Sequence, residues 1–262
     1  MRNVLFFAVM ISTIIMISAQ AKRNRKENIF DSNQTGSYIE QVSGLGMKMI
    51  YVKGGSFILG RVNKGEGYSD EYPAVESFLD SYYIGAFEVT QKQWQTIMKD
   101  NICMEENMPI NRVSWNDALL FCEKLSELTG KNYQLPTEEQ WEYAARGGIK
   151  NNNRKYSGSD KIDKVSWYST NSNKEIHPVG LKHPNELGIY DMSGNVYEWC
   201  LDTYMSYTYK NDSVKHHSVG NNKVLRGGCW SDYASSCRVT HRYYDVSSSK
   251  SSKIGFRVVC VP

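Results

Sequence analysis

The sequence predicts an α+β protein, a single loop-rich domain with a few helices, on three observations. Met47–Gly60 alternates apolar and polar residues in the manner of strands. Three segments then carry helix N-cap signals followed by apolar residues at helical spacing. After Gly148 helical periodicity nearly vanishes, and Asn, Gly, Ser and Tyr dominate.

The N-terminus is read as a leader. Met1-Arg2-Asn3 is a short positive start, Val4 to Ile17 is an unbroken run of apolar or small residues, and Ala19-Gln20-Ala21 supplies a small-x-small cleavage pattern. A signal peptide over 1–21 and an exported mature chain, periplasmic or extracellular, are therefore expected. The alternative, a membrane anchor, needs roughly 20 apolar residues, and this run is shorter. No cysteine precedes Cys103, which argues against lipid anchoring, and no membrane span is expected in the mature chain. Residues 22–43 are polar and pattern-free and read as a flexible linker; the domain is placed at 44–262.

In "MKMIYVKGGSFILG" (Met47–Gly60) the Gly54-Gly55 pair between two alternating runs predicts a hairpin, and "RVNKGEGYSDEYP" (Arg61–Pro73) reads as a glycine-rich loop. Thr90-x-x-Gln93, Ser114-x-x-Asp117 and Thr137-x-x-Gln140 each place a hydroxyl at the N-cap and an acceptor three residues on. Their apolar stripes are Trp94, Ile97 and Met98; Ala118, Phe121, Cys122, Leu125 and Leu128; and Trp141, Ala144 and Ala145. Gly130 and Gly147 fit as C-terminal stops. "KVLRGGCW" and "KIGFRVVCV" are the strand-like pieces of the loop-rich remainder, which needs internal staples or a bound cation.

The formal net charge of +3 is spread along the chain and gives no case for nucleic acid. The basic run Lys22–Lys26 reads as a solvated start of the mature chain. The six cysteines of an exported chain point to disulfides or buried thiols, with a pairing that spacing cannot assign. A metal cluster is the rival, but there is no Cys-x-x-Cys.

The stretches "GGSFILG", "YYIGAFEVTQKQW", "VSWNDALLFC", "QLPTEEQWEYAARGG", "NELGIYDMSGNVYEW", "VLRGG" and "IGFRVV" resemble, block by block and in order, the formylglycine-generating enzyme (sulfatase-modifying factor) family. The resemblance runs from about Gly44 to Val261. It implies a C-type-lectin-like fold of small antiparallel sheets, a few helices and long loops. It also implies an oxidase that uses copper and molecular oxygen to convert a sulfatase cysteine to formylglycine through two cysteines just after a GGS motif.

That motif here reads Gly227-Gly228-Cys229-Trp230-Ser231-Asp232, which puts Asp232 in the place of the first catalytic cysteine. Two soft thiolates are what Cu(I) requires. Cys229 and Cys237 fall at other register points and are weak candidates for a displaced pair, so copper is not expected and catalysis is assigned to no residue. The resemblance further implies a calcium site in "GIYDMSGNVYEW", with side chains at Asp191 and Glu198 and carbonyl oxygens at Gly194 and Val196. Two carboxylates and two carbonyls are hard ligands suited to a structural Ca²⁺; a plain turn with Glu198 salt-bridged is the alternative.

Residues Ser231–Lys253 are rich in Tyr and Ser, an alphabet that combines large amphipathic contact area with adaptable hydrogen bonding. A binding surface for a protein or glycan ligand is expected there, with Trp230, Asp232, Tyr233, His241, Tyr243, Tyr244 and Asp245 as contact residues. Some lectin-like relatives have this segment diversified by retroelements, which the resemblance extends to this chain as a hypothesis. Asp232, His241 and Asp245 lack a nucleophile at a defined spacing, so acid–base catalysis is not read from them.

Overall fold

A computed structural model describes residues 36–61, 67–100, 105–205 and 221–262 of the chain. The expected leader (1–21), the start of the expected linker and Cys103 lie outside the described residues. The strands are β1 (Tyr38–Glu40), β2 (Met47–Val52), β3 (Gly55–Leu59), β4 (Val75–Leu79), β5 (Tyr82–Gly85), β6 (Asn132–Gln134), β7 (Tyr197–Thr203), β8 (Asn222–Arg226), β9 (Arg242–Val246), β10 (Ile254–Gly255) and β11 (Val259–Val261). The helices are α1 (Gln91–Met98), α2 (Trp115–Thr129) and α3 (Glu138–Ala145). No helix of the described residues is long and apolar enough to cross a membrane.

All three helices start where the capping boxes place them. Thr90, Ser114 and Thr137 each accept from the backbone N–H three residues on, and Gln93, Asp117 and Gln140 reach back to the cap N–H. Such a cap is worth about 1 kcal/mol. Gly130 closes α2 in the left-handed region, which costs a glycine little.

The sheets are assembled from distant pieces. A five-stranded sheet runs β1-β2-β5-β11-β6, a four-stranded sheet runs β10-β7-β8-β9, and β3 pairs with β4 alone. The C-terminal β11 lies antiparallel between β5 and β6. The expected hairpin does not form: β2 pairs with β1 and β5, while β3 pairs with β4. Gly54 serves a close approach instead, because a Cβ there would lie 2.3 Å from the Leu79 carbonyl oxygen. The structured domain also begins earlier than the linker reading placed it. Tyr38 and Glu40 of β1 are tied to Tyr133 by hydrogen bonds of 2.9 and 2.7 Å, and Lys131 pairs with Glu40 at 2.6 Å.

The core between the sheets is built around Trp141, Tyr143, Tyr82, Ile84, Met192 and Val224. Trp141 and Trp199 are fully buried, and their indole N–H groups donate to Glu198 and to the Val113 carbonyl. Helix α3 is buried on its charged face too: Glu138 and Glu142 have no exposure and meet Arg242, Arg226 and Arg146. The expected staples are therefore not disulfides among the described residues. Cys122, Cys200, Cys229, Cys237 and Cys260 are free, buried thiols, the other reading the sequence left open. Buried arginine–carboxylate pairs cross-link the loops instead.

Candidate functional site

The four-stranded sheet and the loops beside it enclose a cleft of about 610 Å³. Along its wall, Tyr197 at the start of β7 stacks on Tyr243 of β9 with ring centroids 5.2 Å apart. Tyr243 lies 6.0 Å from Tyr244, and Tyr244 lies 4.4 Å from Tyr204. The four rings form a ladder, close to the offset geometry aromatic pairs prefer. Opposite, Tyr68 packs 5.2 Å from the His241 ring. Tyr243, Tyr244 and Tyr68 are 48%, 44% and 49% exposed, so nearly half of each ring faces solvent.

Three carboxylates line the cleft with the tyrosines. Asp70 accepts the Tyr204 hydroxyl at 2.5 Å. Asp232 accepts the Cys229 N–H at 3.2 Å, and its charge acts on the Tyr197 phenol. Asp245 accepts from the Ser249 hydroxyl at 2.7 Å and the Val246 N–H at 2.8 Å. Burial, and then the Asp232 charge, push the Tyr197 phenol above its ordinary value; burial and Asp70 do the same to Tyr204. Both hydroxyls therefore stay protonated as donors. Burial also lowers the His241 imidazole to about 4, which keeps it neutral, and its buried Nδ1 has no hydrogen-bond partner among the described residues.

The cleft is held open from beneath by two guanidinium anchors. Arg238 binds both oxygens of buried Glu71 at 2.5 and 2.6 Å, and the Thr240 hydroxyl donates to the same carboxylate at 2.5 Å. This fixes the short turn that carries Tyr68 and Asp70. Arg242 binds both oxygens of Glu138 on α3 at 2.6 and 2.9 Å and donates to the Asp70 carbonyl at 3.0 Å. Fork-to-fork pairs of this kind fix orientation as well as charge.

Of the contact residues expected from sequence, Asp232, His241, Tyr243, Tyr244 and Asp245 line this cleft, whereas Trp230 and Tyr233 do not. Tyr233 stands 79% exposed on the turn before Ala234–Cys237. Tyr68, Asp70, Tyr197 and Tyr204 come from distant segments and were not visible in the Tyr/Ser-rich stretch. The Asp232 and Asp245 carboxylates accept from the Cys229 and Val246 N–H groups and the Ser249 hydroxyl rather than from His241.

The thiols of Cys229 and Cys237 are free and buried. Burial and then Asp232 push Cys229 up to about 11, and burial raises Cys237 as well. Neither forms a thiolate readily, and the thiolate is the metal-binding and nucleophilic form. Gly228 is left-handed, and a Cβ there would lie 2.7 Å from the Ser236 carbonyl oxygen and 3.0 Å from the Cys237 sulfur. The motif glycine lets the two turns touch.

A second constellation surrounds the turn before β7. Asp191 and Asn195 sit at φ 57° and 59°, with Gly194 between them at φ 82°. Asp191 accepts the Gly180 N–H at 2.6 Å. Glu198 takes two bonds of 2.6 Å from Arg257 and one of 2.7 Å from the Trp141 indole. Glu88, which the sequence reading missed, accepts from Asn195 Nδ2 at 2.8 Å and the Val196 N–H at 3.2 Å. Its signal was a lone carboxylate inside the apolar "YYIGAFEV". Burial raises Asp191 to about 6 against the opposing Gly180 N–H and Arg257, and burial with the charges of Asp191 and Glu198 raises Glu88 well above the ordinary range. Arg257 binds both oxygens of Glu198, the salt-bridged arrangement that the sequence left open as the alternative to a calcium site, and the buried charges of Glu88 and Asp191 act on the same guanidinium. Among the described residues no group of three or more His, Cys, Asp or Glu side chains is arranged to hold a metal, so an ion there would also need backbone carbonyls.

Residues 37–261 match the sulfatase-modifying factor enzyme 1-like domain, and the chain belongs to that family. It is 31% identical to the chaperone protein LppX of Paenibacillus barcinonensis, over 74% of this chain and 82% of that protein. It is 34% identical to the formylglycine-generating enzyme of Streptomyces coelicolor, over 61% of this chain and 54% of the enzyme. The inactive Cα-formylglycine-generating enzyme 2 of Mus musculus is 26% identical over 80% of the chain and 84% of its own length. Among solved structures, Treponema denticola variable protein 1 superposes with a TM-score of 0.77 at 27% identity, over 86% of this chain and 99% of that one.

Proposed function

We propose that this chain is an exported, non-catalytic member of the family that binds a protein or glycan ligand through the tyrosine cleft. The observation that carries the reading is the ladder Tyr197–Tyr243–Tyr244–Tyr204, whose middle rings stand nearly half exposed beside unfilled space. Exposed aromatic faces with no partner are costly to keep unless something covers them. The raised, buried thiols and the aspartate at the family's first cysteine position support a loss of oxidase chemistry. Relatives in this family carry both enzyme and inactive names. Calcium held by Asp191 and Glu198 with the carbonyls of Gly194 and Val196 is proposed as a structural ion, stiffening the turn that leads into β7.

Two measurements test this reading. Purified protein is incubated with copper and a sulfatase-motif peptide, and mass spectrometry reports whether the cysteine becomes an aldehyde; no conversion is expected. The protein is also screened against glycan and protein arrays beside the Tyr243→Ala/Tyr244→Ala variant. Binding lost in the variant is the expected result. Turnover that disappears in Cys229→Ser or Cys237→Ser would overturn the proposal.

A further inference from the structure

Resting on that binding reading, we infer that the tyrosine cleft recognises a cationic group, the side chain of a lysine or arginine on a partner protein.

The first ground is charge. Among the described residues, Asp70, Asp232 and Asp245 line the cleft, and the cations lining it are Lys253 and Arg242. Arg242 is already neutralised by both oxygens of Glu138. Three carboxylates thus stand against one lysine at the rim.

The second ground is the hydrogen-bond inventory. The Tyr204 hydroxyl spends its proton on Asp70, which leaves its oxygen as an acceptor. His241, which lines the cleft, is held neutral by burial and brings no charge to it. Carboxylates and a phenol oxygen together favour a ligand that donates.

The third ground is the rings themselves. Tyr68, Tyr243 and Tyr244 present open faces, and an aromatic face attracts a cation within about 6 Å of its centroid. The molecule already uses this contact in the same place: the guanidinium carbon of Arg242 lies 4.8 Å from the Tyr204 centroid, and that of Arg238 lies 5.8 Å from Tyr68. A neutral sugar would also stack on tyrosines, but it would draw nothing from the excess negative charge. An acidic segment would be repelled.

The test uses the whole protein carrying 3-fluorotyrosine, with the Tyr243 and Tyr244 resonances assigned through their phenylalanine variants. Three probes are titrated: an acetylated tri-lysine amide, an acetylated tri-glutamate amide and chitotriose. Tri-lysine is expected to shift both resonances, with an affinity that falls about tenfold in Asp70→Asn/Asp245→Asn and falls again as salt rises. Tyr243→Phe, which keeps the ring, should retain binding, and Tyr243→Leu should lose it. If chitotriose or tri-glutamate moves the resonances and tri-lysine does not, the cation assignment is overturned while a binding cleft stands. If none moves them in a protein with unchanged circular dichroism, the cation assignment is likewise overturned, and the array screen decides the broader reading separately.

Discussion

Replacing Arg238 with methionine removes the anchor that ties the Tyr68–Asp70 turn to the C-terminal half of the molecule. The guanidinium makes two charge-assisted bonds to Glu71 at 2.5 and 2.6 Å, one to the Thr240 hydroxyl at 3.1 Å and one to the Ser235 carbonyl at 2.8 Å. Glu71 itself has no exposure, so the variant strands a charge away from water. Breaking a buried pair from one side costs about 3–5 kcal/mol. At roughly 2–4 °C per kcal/mol for a domain of this size, the melting temperature should fall by on the order of 6–20 °C. Glu71→Leu/Arg238→Met removes both charges and should recover most of that loss, because the penalty lies in the unpaired carboxylate. Thermal unfolding by circular dichroism at pH 7 measures both variants. Arg238→Met melting within about 2 °C of the parent, or the double variant melting below the single one, would refute the argument. The same pair sets an acid limit. Burial alone would raise the Glu71 carboxyl, but hydrogen bonds from Arg238, Thr240 and the Tyr68 N–H outweigh it and hold it below 4.5. Its stabilisation is therefore complete above that pH and is lost as the pH falls through the lower folded value.

Other outcomes follow from the same geometry. For His241, held at about 4 in the fold against an ordinary 6.5, the unfolded chain takes up a proton first, so stability should drop by about 3 kcal/mol as the pH falls from 6.5 to 4. His241→Gln should flatten that part of a pH–stability curve. If calcium occupies the Asp191 turn, a chelator should lower the melting temperature, by about 2.7 kcal/mol of stability at a hundredfold excess of ion over its dissociation constant. Asp191→Ala should abolish the chelator's effect, and a chelator-insensitive parent would reject the ion. Gly194→Ala should fail to fold or lose several kcal/mol, because a Cβ at φ 82° would sit 2.2 Å from both the Ser166 hydroxyl and the Trp167 carbonyl oxygen. The five described thiols should react with a thiol reagent only after denaturant is added.

What the sequence makes legible is local. The three helices announce themselves because a capping box needs only residues three apart, and Gly130 stops α2 through its own backbone preference. The Gly54-Gly55 pair misleads because glycine reads the same whether it makes a turn or admits a neighbouring backbone, and only the position of Leu79 decides. Strand β1 is invisible for a related reason: Tyr38 and Glu40 are held by Tyr133 and Lys131, far along the chain. The cleft is half legible. Tyr243, Tyr244 and Asp245 stand together in the Tyr/Ser-rich stretch, whereas Tyr68, Tyr197 and Tyr204 reach it through ion pairs and sheet order that no window of sequence contains. The glutamates of α3 show the limit of binary patterning, since they look like solvent residues until their arginines are known.

The stretch from Cys237 to Val246 divides into two kinds of position, buried up to Arg242 and largely exposed after it. Arg238, Val239, Thr240 and Arg242 are inward and committed, while Tyr243, Tyr244 and Val246 lean outward and hold up little of the interior. Changes at the outward positions should alter what the molecule meets without altering whether it folds. A surface built this way can drift toward new partners quickly, because its mechanical supports and its points of contact are separate residues.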